Sequence, residues 1–488
     1  MPPRKRKPTS REPSGLAALA LVFAVIIGLA LMVRLTIEWI SAPAVQPEQS
    51  LQQNVTEPDP EEKQSFWDRL FRGREEEETE PVFTETMPAE TQPTVVSTAT
   101  VGTMGDMLMH MQLFSDKVSA ISNLGNGNYD FSPVFEYITE EISSLDYAIA
   151  NLETTFGGDD YPYQGNPTFN CPDPLADALA DAGYDMMLTA NNHCSDTLLS
   201  GIKRTLNVVR NAGMETLGTR LTEEEPRYTI VDVNGIRIGM VCYTYTLKMV
   251  EGVPSLNGGS PLAEPSLVNW FTYEDLSGFY NEIGGVYSDM MAAGAEASML
   301  FIHWGEEYQL TENNWQNSIA QKMCDLGFDV IVGGHPHVVQ PMELLESTVD
   351  PDHKTVCVYS LGNSVSNQRQ GNLDAIKTAH TEDGVLFTVT FEKQSDGTVY
   401  ISGTDVLPLW VIVHTATGKL EYNILPLRKT EEDTWTQRFA LSTGTFNAAR
   451  NSWQRTMDIM GDGFQECLLW LTFANENRGN PVAVDAAE

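Results

Sequence analysis

Five apolar segments of this 488-residue chain each run directly into a cluster of polar residues. A short apolar run that ends at glycine, asparagine or aspartate is typical of a buried strand that reaches a turn. In folds built around a sheet, functional groups gather at the carboxyl ends of strands. The repetition therefore predicts one site made from several strand ends. The five clusters are Gly105-Asp106, Asn151-Leu152-Glu153, Asn191-Asn192-His193, His303-Trp304-Gly305-Glu306-Glu307 and His335-Pro336-His337.

Segments with helical and strand periodicity alternate between residues 98 and 427. The periodicity predicts helices over residues 132–145, 173–183, 197–213, about 273–293, and 313–327, separated by apolar strands. Ser132 is the expected N-cap of the first. The stretch RYTIVDVNGIRIGMVCYTY predicts a hairpin, since Asn234-Gly235 fits a type I′ turn. Hairpins dominate after residue 354. The pattern indicates a mixed α and β fold with a largely buried sheet core.

The stretch GGHPHVVQ places two histidines one residue apart after the apolar run DVIVGG. Side chains two positions apart on extended backbone point the same way, so both imidazoles can converge on one metal ion. A pair of solvated turn histidines is the alternative. Taken one at a time, these residues also have structural explanations. Asp106 could belong to an ordinary turn, Asn192 could favour a turn, and His303 could be a core histidine with its hydrogen bonds satisfied. Five clusters at equivalent strand ends favour the shared site.

The clusters supply two carboxylates, an asparagine carbonyl and several imidazoles, but no thiolate. Such donors suit Mn²⁺, Fe, Co²⁺ or Zn²⁺ better than Ca²⁺ or a structural zinc. The set exceeds the needs of one ion, which predicts two divalent metal ions about 3.5–4 Å apart, bridged by a carboxylate. Six cysteines without CxxC spacing disfavour a thiolate zinc site, and their pairing stays undecided.

The N-terminal region predicts a membrane anchor. A basic tail over residues 1–14 precedes an apolar run, Gly15 to Val33, that spans about 28 Å as a helix and can cross a bilayer core. The basic tail is expected to stay in the cytoplasm. The chain after the apolar run of this single-pass protein is expected to lie outside the cytoplasm. A cleaved signal peptide is the rival, with APA at residues 42–44 as its site. We favour an uncleaved anchor over residues 15–40, because Arg34 and Glu38 separate that site from the apolar run.

The remaining boundaries follow from composition. Residues 41–97 are rich in Glu, Pro, Gln and Thr, which predicts a disordered acidic linker. Residues 98–427 form the predicted globular domain, and residues 428–488 a C-terminal helical extension and tail. The formal net charge of -37 argues against nucleic acid as a partner and against docking on anionic lipid headgroups.

The ordered motifs GDMLM, NLETTF, ANNH…D, HWGEEY, GGHPHVVQ and YSLGNS resemble those of the CapA or poly-γ-glutamate capsule-synthesis family. The resemblance covers roughly residues 98–427. It implies a calcineurin-like metallophosphatase fold, which is a four-layer αββα sandwich. It also implies a membrane-anchored, extracytoplasmic protein associated with making or exporting poly-γ-glutamate, an acidic polymer.

The resemblance also implies roles for single residues. His193 matches the histidine that protonates the leaving oxygen, and Glu153 falls where a bridging aspartate usually sits. The implied metal ligands are Asp106, Glu153, Asn192, His303, His335 and His337.

The chain departs from the phosphoesterase pattern at two ligand positions. Leu108 stands where a histidine usually follows the first aspartate, and His110 is off that register. One metal position therefore lacks a ligand. Glu153 in place of aspartate lengthens the bridging arm by one methylene.

Three further residues are candidates for support of the site. Glu306 and Glu307 are candidate substitute ligands or acid–base groups, and Asn363 in SLGN is a candidate for ordering the rim. The alternative for Glu306 and Glu307 is a carboxylate at the start of a helix. The alternative for Asn363 is a turn that ends a strand.

Three functions fit the sequence. The first is an extracytoplasmic metal-dependent hydrolase or transferase of capsule or cell-envelope polymer metabolism, which cleaves a phosphoester or a γ-glutamyl amide. The second is a non-catalytic, metal-binding subunit of a polymer synthesis and export complex. The missing histidine at Leu108 and the absence of a P-loop motif favour this second function. The third is a phosphatase of nucleotides or sugar phosphates, unrelated to capsule.

Overall fold

The computed structural model describes residues 93–478, and its core contains two large β-sheets. The strands of the first sheet are β1 (Val95–Met107), β4 (Tyr147–Asn151), β5 (Met186–Leu188), β6 (Glu215–Leu217), β16 (Asn363–Val365), β17 (Asp383–Gln394), β18 (Val399–Ala416) and β19 (Lys419–Pro426). Their spatial order is β19-β18-β17-β1-β4-β5-β6, with β16 also paired to β1. The strands β1, β4, β5 and β6 are parallel, so their carboxyl ends meet at one edge.

The second sheet is mostly parallel. Its strands are β7 (Tyr228–Val233), β8 (Ile236–Tyr245), β11 (Trp270–Phe271), β12 (Ala297–His303), β13 (Val330–Gly334), β14 (Met342–Glu346) and β15 (Lys354–Val358). Their order is β11-β8-β12-β13-β15-β14, and β7 forms the predicted hairpin with β8. Asn234 and Gly235 turn it with positive φ angles, as a type I′ turn requires. Two small hairpins pair β2 (Asn123–Gly125) with β3 (Asn128–Tyr129), and β9 (Lys248–Val250) with β10 (Val253–Ser255).

Eight α-helices lie between residues 93 and 478, and most of them pack on the outer faces of the two sheets. They are α1 (Ser132–Phe135), α2 (Thr139–Ser143), α3 (Pro174–Ala182), α4 (Leu198–Asn211), α5 (Leu276–Ala292), α6 (Asn314–Leu326), α7 (Trp435–Arg438) and α8 (Thr443–Arg478). The single helix predicted over residues 132–145 is wrong, because the chain forms α1 and α2 with a break between them. Phe131 rather than Ser132 occupies the N-cap. Both short helices bury apolar side chains in one cluster against the first sheet.

The two sheets pack face to face through a continuous apolar core. Alternation along β12 shows how the layers form. Met299 and Phe301 point into the core between the sheets, whereas Leu300 and Ile302 pack in the outer cluster with α5 and α6. Burial on both faces explains the unbroken apolar runs of the parallel strands. The mixed α and β class predicted from the sequence is confirmed.

The long helix α8 contacts strands of both sheets, chiefly β18 and β14. Its residues Met460, Cys467 and Leu471 are buried in the core between the sheets. Gly463 permits this packing, since a Cβ atom there would lie 1.7 Å from the backbone oxygen of Met342. The helix is therefore an integral part of the folded body.

The predicted basic tail (residues 1–14), anchor (15–40) and most of the acidic linker (41–97) lie outside the described residues. Strand β1 begins at Val95, three residues before the predicted start of the globular domain. Between residues 93 and 478, no helix is long and apolar enough to span a bilayer. All six cysteines are buried and free.

Candidate metal centre

Strand ends from both sheets meet at one point. Asp106 lies near the end of β1 and pairs in register with Asn151, the last residue of β4. His303 ends β12 in register with Gly334, the last residue of β13. Since these strands are parallel within each sheet, the loops that follow them carry Glu153, Asn192, His193, His335 and His337 to the same edge. All of these site side chains are buried.

Glu153 lies at the centre of the cluster. Its Oε1 atom is 3.6 Å from Nε2 of His303, 3.8 Å from Nε2 of His337 and 4.0 Å from Nε2 of His193. Its other oxygen accepts a 3.4 Å hydrogen bond from the amide of Asn151. Within the described part of the chain, Oε1 has no hydrogen-bond partner. A buried carboxylate oxygen without a donor is costly unless a cation satisfies it.

Two groups of side chains are arranged to hold a metal ion, and Glu153 belongs to both. One group is Glu153, His303 and His335, and the other is Asp106, Glu153 and His337. Within each group the candidate ligand atoms lie within 4.8 Å of one another. The residues thus fit a divalent metal ion, and the shared carboxylate has the position of a bridge.

The backbone conformation of the two histidines of GGHPHVVQ differs from the prediction. The sequence predicts an extended backbone that points both rings at one object, but His335 and His337 have φ angles of 99° and 56°. Positive φ angles end the strand alternation at β13, so the rings lie in different groups, with centroids 5.8 Å apart. Such angles in non-glycine residues are strained and are typical of functional sites.

Asp106 and His337 form a buried ion pair. Nδ1 of His337 lies 3.0 Å from Oδ2 of Asp106. Burial alone raises the pKa of Asp106, but the hydrogen bond and charge of His337 outweigh it and hold the pKa below its usual value. Burial likewise lowers the pKa of His337, but Glu153 and Asp106 raise it to about 9. Gly334 makes room for this pair, since a Cβ atom there would lie 2.9 Å from Oδ1 of Asp106.

His335 is oriented by a tyrosine from the second sheet. The Oη atom of Tyr245 lies 2.9 Å from Nε2 of His335, so Nδ1 is left to face the cluster. Among the described residues, this Nδ1 has no hydrogen-bond partner. Burial, with the neighbouring histidines, lowers the pKa of His335 well below its usual value, so its ring is neutral. A neutral imidazole held by a hydrogen bond at its other nitrogen is the usual form of a metal ligand.

Asparagine side chains connect the two sheets at the centre. The carbonyl oxygen of Asn192 lies 3.0 Å from Nε2 of His303. Asn151 donates to Oδ1 of Asp106 at 2.8 Å and accepts a 3.1 Å hydrogen bond from Asn191. The Asn191 carbonyl in turn accepts from the backbone nitrogen of His193 at 3.1 Å. This network fixes the carboxylates and the loop after β5.

His193 is held by Asp196. The distance from Nδ1 of His193 to Oδ2 of Asp196 is 2.7 Å, which leaves Nε2 directed at Glu153. Burial lowers the pKa of His193, but the hydrogen bond and the charge of Asp196, together with Glu153, outweigh it and raise the pKa above its usual value. The ring of Phe169 packs edge-on against that of His193 at 4.7 Å. The arrangement directs Nε2 of His193 at the carboxylate of Glu153.

Comparison with known proteins identifies the family of this chain. Residues 100–368, more than half of the chain, match the model of the family described as bacterial capsule synthesis protein PGA_cap. The chain belongs to the PGA_cap family. The matched region contains every residue of the centre described above. The predicted resemblance to the CapA capsule-synthesis family is thereby confirmed.

Two relatives carry capsule-related names. The chain is 25% identical over 286 residues to the capsule biosynthesis protein CapA of Bacillus anthracis, which covers 58% of this chain and 62% of that protein. It is 23% identical over 280 residues to the PGA biosynthesis protein CapA of Bacillus subtilis strain 168, which covers 56% of this chain and 65% of that protein. The match thus spans less than two thirds of either relative.

None of the three predicted support residues of this PGA_cap protein is placed as a metal ligand. Glu306 and Glu307 are both exposed, and neither belongs to the two groups that can hold a metal. Asn363 is buried and donates to the backbone oxygen of His337 at 3.2 Å, so it holds the loop rather than a metal. Leu108 is buried at the position without the usual histidine, and His110 is buried outside both groups.

The sequence did not single out Asn151, Asp196 or Tyr245 as site residues of this PGA_cap protein. Asn151 belongs to a strand-end cluster, and its place directly before Leu152-Glu153 is a signal that could have found it. Asp196 follows His193 by three residues, within the ANNH…D motif. Tyr245 has no such signal, because it ends an apolar strand of ordinary composition.

Proposed function

We propose that this centre is the active site of a metal-dependent hydrolase or transferase that works in the synthesis of capsule or cell-envelope polymer. The observation that carries the proposal is Oε1 of buried Glu153, which has no hydrogen-bond partner within residues 93–478 and belongs to a residue shared by both groups of candidate ligands. Two divalent ions, of Mn, Fe, Zn or Co, are the proposed cofactors. Their proposed ligands are Asp106, Glu153, Asn192, His303, His335 and His337.

When bound, such ions supply Lewis-acid activation of water and of the scissile group. The side chains of the protein supply negative charge for the ions and a proton for the leaving atom. Asp106 and Glu153 supply the negative charge that holds cations at the strand ends. His193 carries a proton at Nε2, kept there by Asp196, and donates it to the leaving atom. Tyr245 fixes the orientation of His335.

The arrangement of layers supports a metallophosphatase-like fold as the finer description. Helices, two sheets and helices follow one another, and the cluster lies at the carboxyl ends of strands from both sheets. This position is the usual one for functional groups in sheet-centred folds. A phosphoester or a γ-glutamyl amide is the bond that such a site would cleave.

A non-catalytic, metal-binding subunit of a polymer synthesis or export complex is the second candidate. Its supporting observation is Leu108, a fully buried apolar side chain where phosphoesterases have a histidine. A centre short of one ligand can hold an ion for structure or for binding an acidic polymer without turnover.

The location and partners belong to the same proposal. The apolar run over residues 15–33 supports a single membrane anchor with a cytoplasmic N-terminus and an extracytoplasmic globular part. An acidic capsule polymer and subunits for its synthesis or export are the proposed partners. Protease added to intact cells should remove the globular part, and protection of that part would contradict this topology.

One experiment separates these functions. Purified full-length protein is analysed for metal, then assayed with a generic phosphodiester, a γ-linked glutamate oligomer and a sugar phosphate. Metal with turnover of the diester or the oligomer supports the hydrolase. Metal without turnover supports the binding subunit, and activity on the sugar phosphate alone supports a phosphatase unrelated to capsule. Protein without metal contradicts the proposal.

A further inference from the structure

The chain between β8 and β11 extends from the second sheet to the proposed proton donor, His193. This segment, residues 246–264, contains the small hairpin of β9 and β10. Its residue Leu256 is fully buried in a small apolar cluster that includes Cys194, the neighbour of His193. The segment is therefore packed against the loop after β5, and the next residue, Asn257, lies beside the proton donor.

The amide of Asn257 contacts the carboxylate of Asp196. Its Nδ2 atom donates to Oδ1 of Asp196 at 3.2 Å and to the backbone oxygen of Pro167 at 2.9 Å. These two acceptors decide which end of the amide is the nitrogen. Nδ2 also lies 3.1 Å from Nδ1 of His193. Both of these nitrogens carry hydrogen when His193 donates to Asp196, so this third contact is not a hydrogen bond.

Asn257 completes the set of donors around Asp196. Oδ2 of this carboxylate accepts from Nδ1 of His193 at 2.7 Å and from the backbone nitrogen of Phe169 at 2.6 Å. Within residues 93–478, Asn257 is the only side chain that donates to Oδ1. The side chain of Asp196 is only 2% exposed, so solvent contributes little to its hydrogen bonding. Donors at both oxygens hold the buried carboxylate in one orientation.

We infer that Asn257 is a positioning residue for proton transfer, which acts on His193 through the carboxylate of Asp196. The inference rests on the proposed function, because His193 is the proton donor of that site. With its Oδ1 held, Asp196 keeps the plane in which Oδ2 accepts from Nδ1, and Nε2 of His193 stays directed at Glu153. Without the amide, the carboxylate can rotate and the imidazole can turn with it.

Reversal of the amide's polarity gives the first half of the test. Asn257→Asp keeps the shape of the side chain but places a carboxylate against Oδ1 of Asp196. The two like charges repel and the donor is lost, so kcat should fall by roughly tenfold. KM should not change, because the lost interaction serves the transition state. Metal content should not change either, since Asn257 belongs to neither group of candidate ligands.

The same substitution in the Asp196→Asn protein gives the second half. There the new amide oxygen takes the place of Oδ2, which accepts from His193 and Phe169, and the amide nitrogen takes the place of Oδ1. Two nitrogen donors then face each other, and Asn257→Asp restores an acceptor. It should therefore raise kcat in this background, by roughly fivefold for one recovered hydrogen bond. The lost bond to Pro167 is common to both backgrounds and cancels in the comparison.

The four proteins are compared as full-length, metal-loaded protein. The kinetic probe is an alkyl phosphodiester or a γ-linked glutamate oligomer, whichever wild type cleaves, since both leaving groups need a proton. Asn281→Asp is the control, because it makes the same change of charge at an exposed asparagine on α5 and should leave kcat unchanged. Opposite effects of Asn257→Asp in the two backgrounds support the inference. A loss in both backgrounds, or no loss in wild type, would overturn it.

A measurement without turnover separates this inference from the proposed function. The Nδ1 proton of His193 is followed by NMR in full-length protein labelled at the histidine nitrogens, and it is identified by its absence from His193→Ala. Its exchange with water should be faster in Asn257→Ala than in wild type, since the amide covers Oδ1 of Asp196. If wild type cleaves no probe, the proposed function fails and the exchange rate decides alone. Faster exchange then supports the positioning role, and equal exchange overturns it.

Discussion

The Oε1 atom of Glu153 lies 3.6 Å from Nε2 of His303, so a carboxylate from one sheet faces an imidazole from the other across the carboxyl edge of both. Glu153 follows β4 of the first sheet, and His303 ends β12 of the second. The contact ties the proposed chemistry to the packing of the two sheets, since neither sheet alone completes either group of ligands. Metal binding and the sheet-to-sheet interface should therefore depend on each other.

The shared carboxylate gives the first prediction. Glu153→Gln removes the negative charge from both ligand groups at nearly constant shape, so both metal positions weaken together. Metal affinity should fall by more than about 100-fold, beyond the usual effect of residues that only orient a ligand. Titration of metal-free protein with Mn²⁺ or Zn²⁺ measures this affinity. Glu306→Gln, an exposed carboxylate near the centre, should bind as wild type does, and equal loss in both variants would refute the bridging role.

The pairing of His193 with Asp196 gives the second prediction. His193→Ala removes the proposed proton donor and should lower turnover by about 10² to 10⁴. Asp196→Asn keeps the ring but weakens its hold on the Nε2 proton, so a smaller loss is expected. Steady-state kinetics on whichever probe substrate the wild-type protein turns over, together with elemental analysis, checks both expectations. Unchanged turnover in His193→Ala would exclude acid catalysis by this residue.

Burial of His110 predicts a pH dependence of stability. Burial lowers its pKa from 6.5 to about 4. The unfolded chain therefore binds a proton between these values while the folded protein does not, and stability falls as pH drops from about 6.5 to about 4. The loss amounts to about 3 kcal/mol once pH is below both pKa values.

Urea unfolding of wild type and His110→Gln at pH 7, 6, 5 and 4 measures this dependence, with chelator present so that metal release does not contribute. Glutamine keeps an acceptor for the backbone nitrogen of Asn367, which donates to His110 at 3.3 Å. The stability difference between the two proteins should shift in favour of the variant as pH falls. Parallel pH curves would mean that His110 titrates normally in the folded state.

Much of the centre could be predicted because its residues share one local signal. Asp106, Glu153, Asn192, His303 and His335 each lie at the end of an apolar strand or in the loop after it. Parallel strands bring such ends together whatever the details of packing. Helix ends could also be predicted from the sequence. One example is the glycine that ends α3 in the left-handed conformation. These features depend on a few neighbouring residues only.

What the sequence missed depends on tertiary contacts. The orientations of His335 and His337 follow from positive φ angles that the surrounding loop imposes, and no local pattern encodes them. Tyr245 orients His335 from a strand 90 residues earlier in the chain. The break between α1 and α2 arises because tertiary burial overrode a continuous helical pattern. A cavity of about 500 Å³ likewise joins segments around residues 110, 166 and 367 that are far apart in sequence.

The central claim is that the buried cluster holds metal through His337 while His193 serves as a proton donor. His337→Ala removes one ligand nitrogen and leaves the carboxylates of Asp106 and Glu153 with less positive charge between them. Bound metal stabilises a protein by about 3–4 kcal/mol at 100 to 1,000 times its dissociation constant, so melting temperature should fall with metal content. Elemental analysis of full-length wild type, His337→Ala and His193→Ala, purified side by side, is the most direct test. The account predicts metal in wild type and His193→Ala and its loss from His337→Ala, whereas equal metal in all three would contradict it.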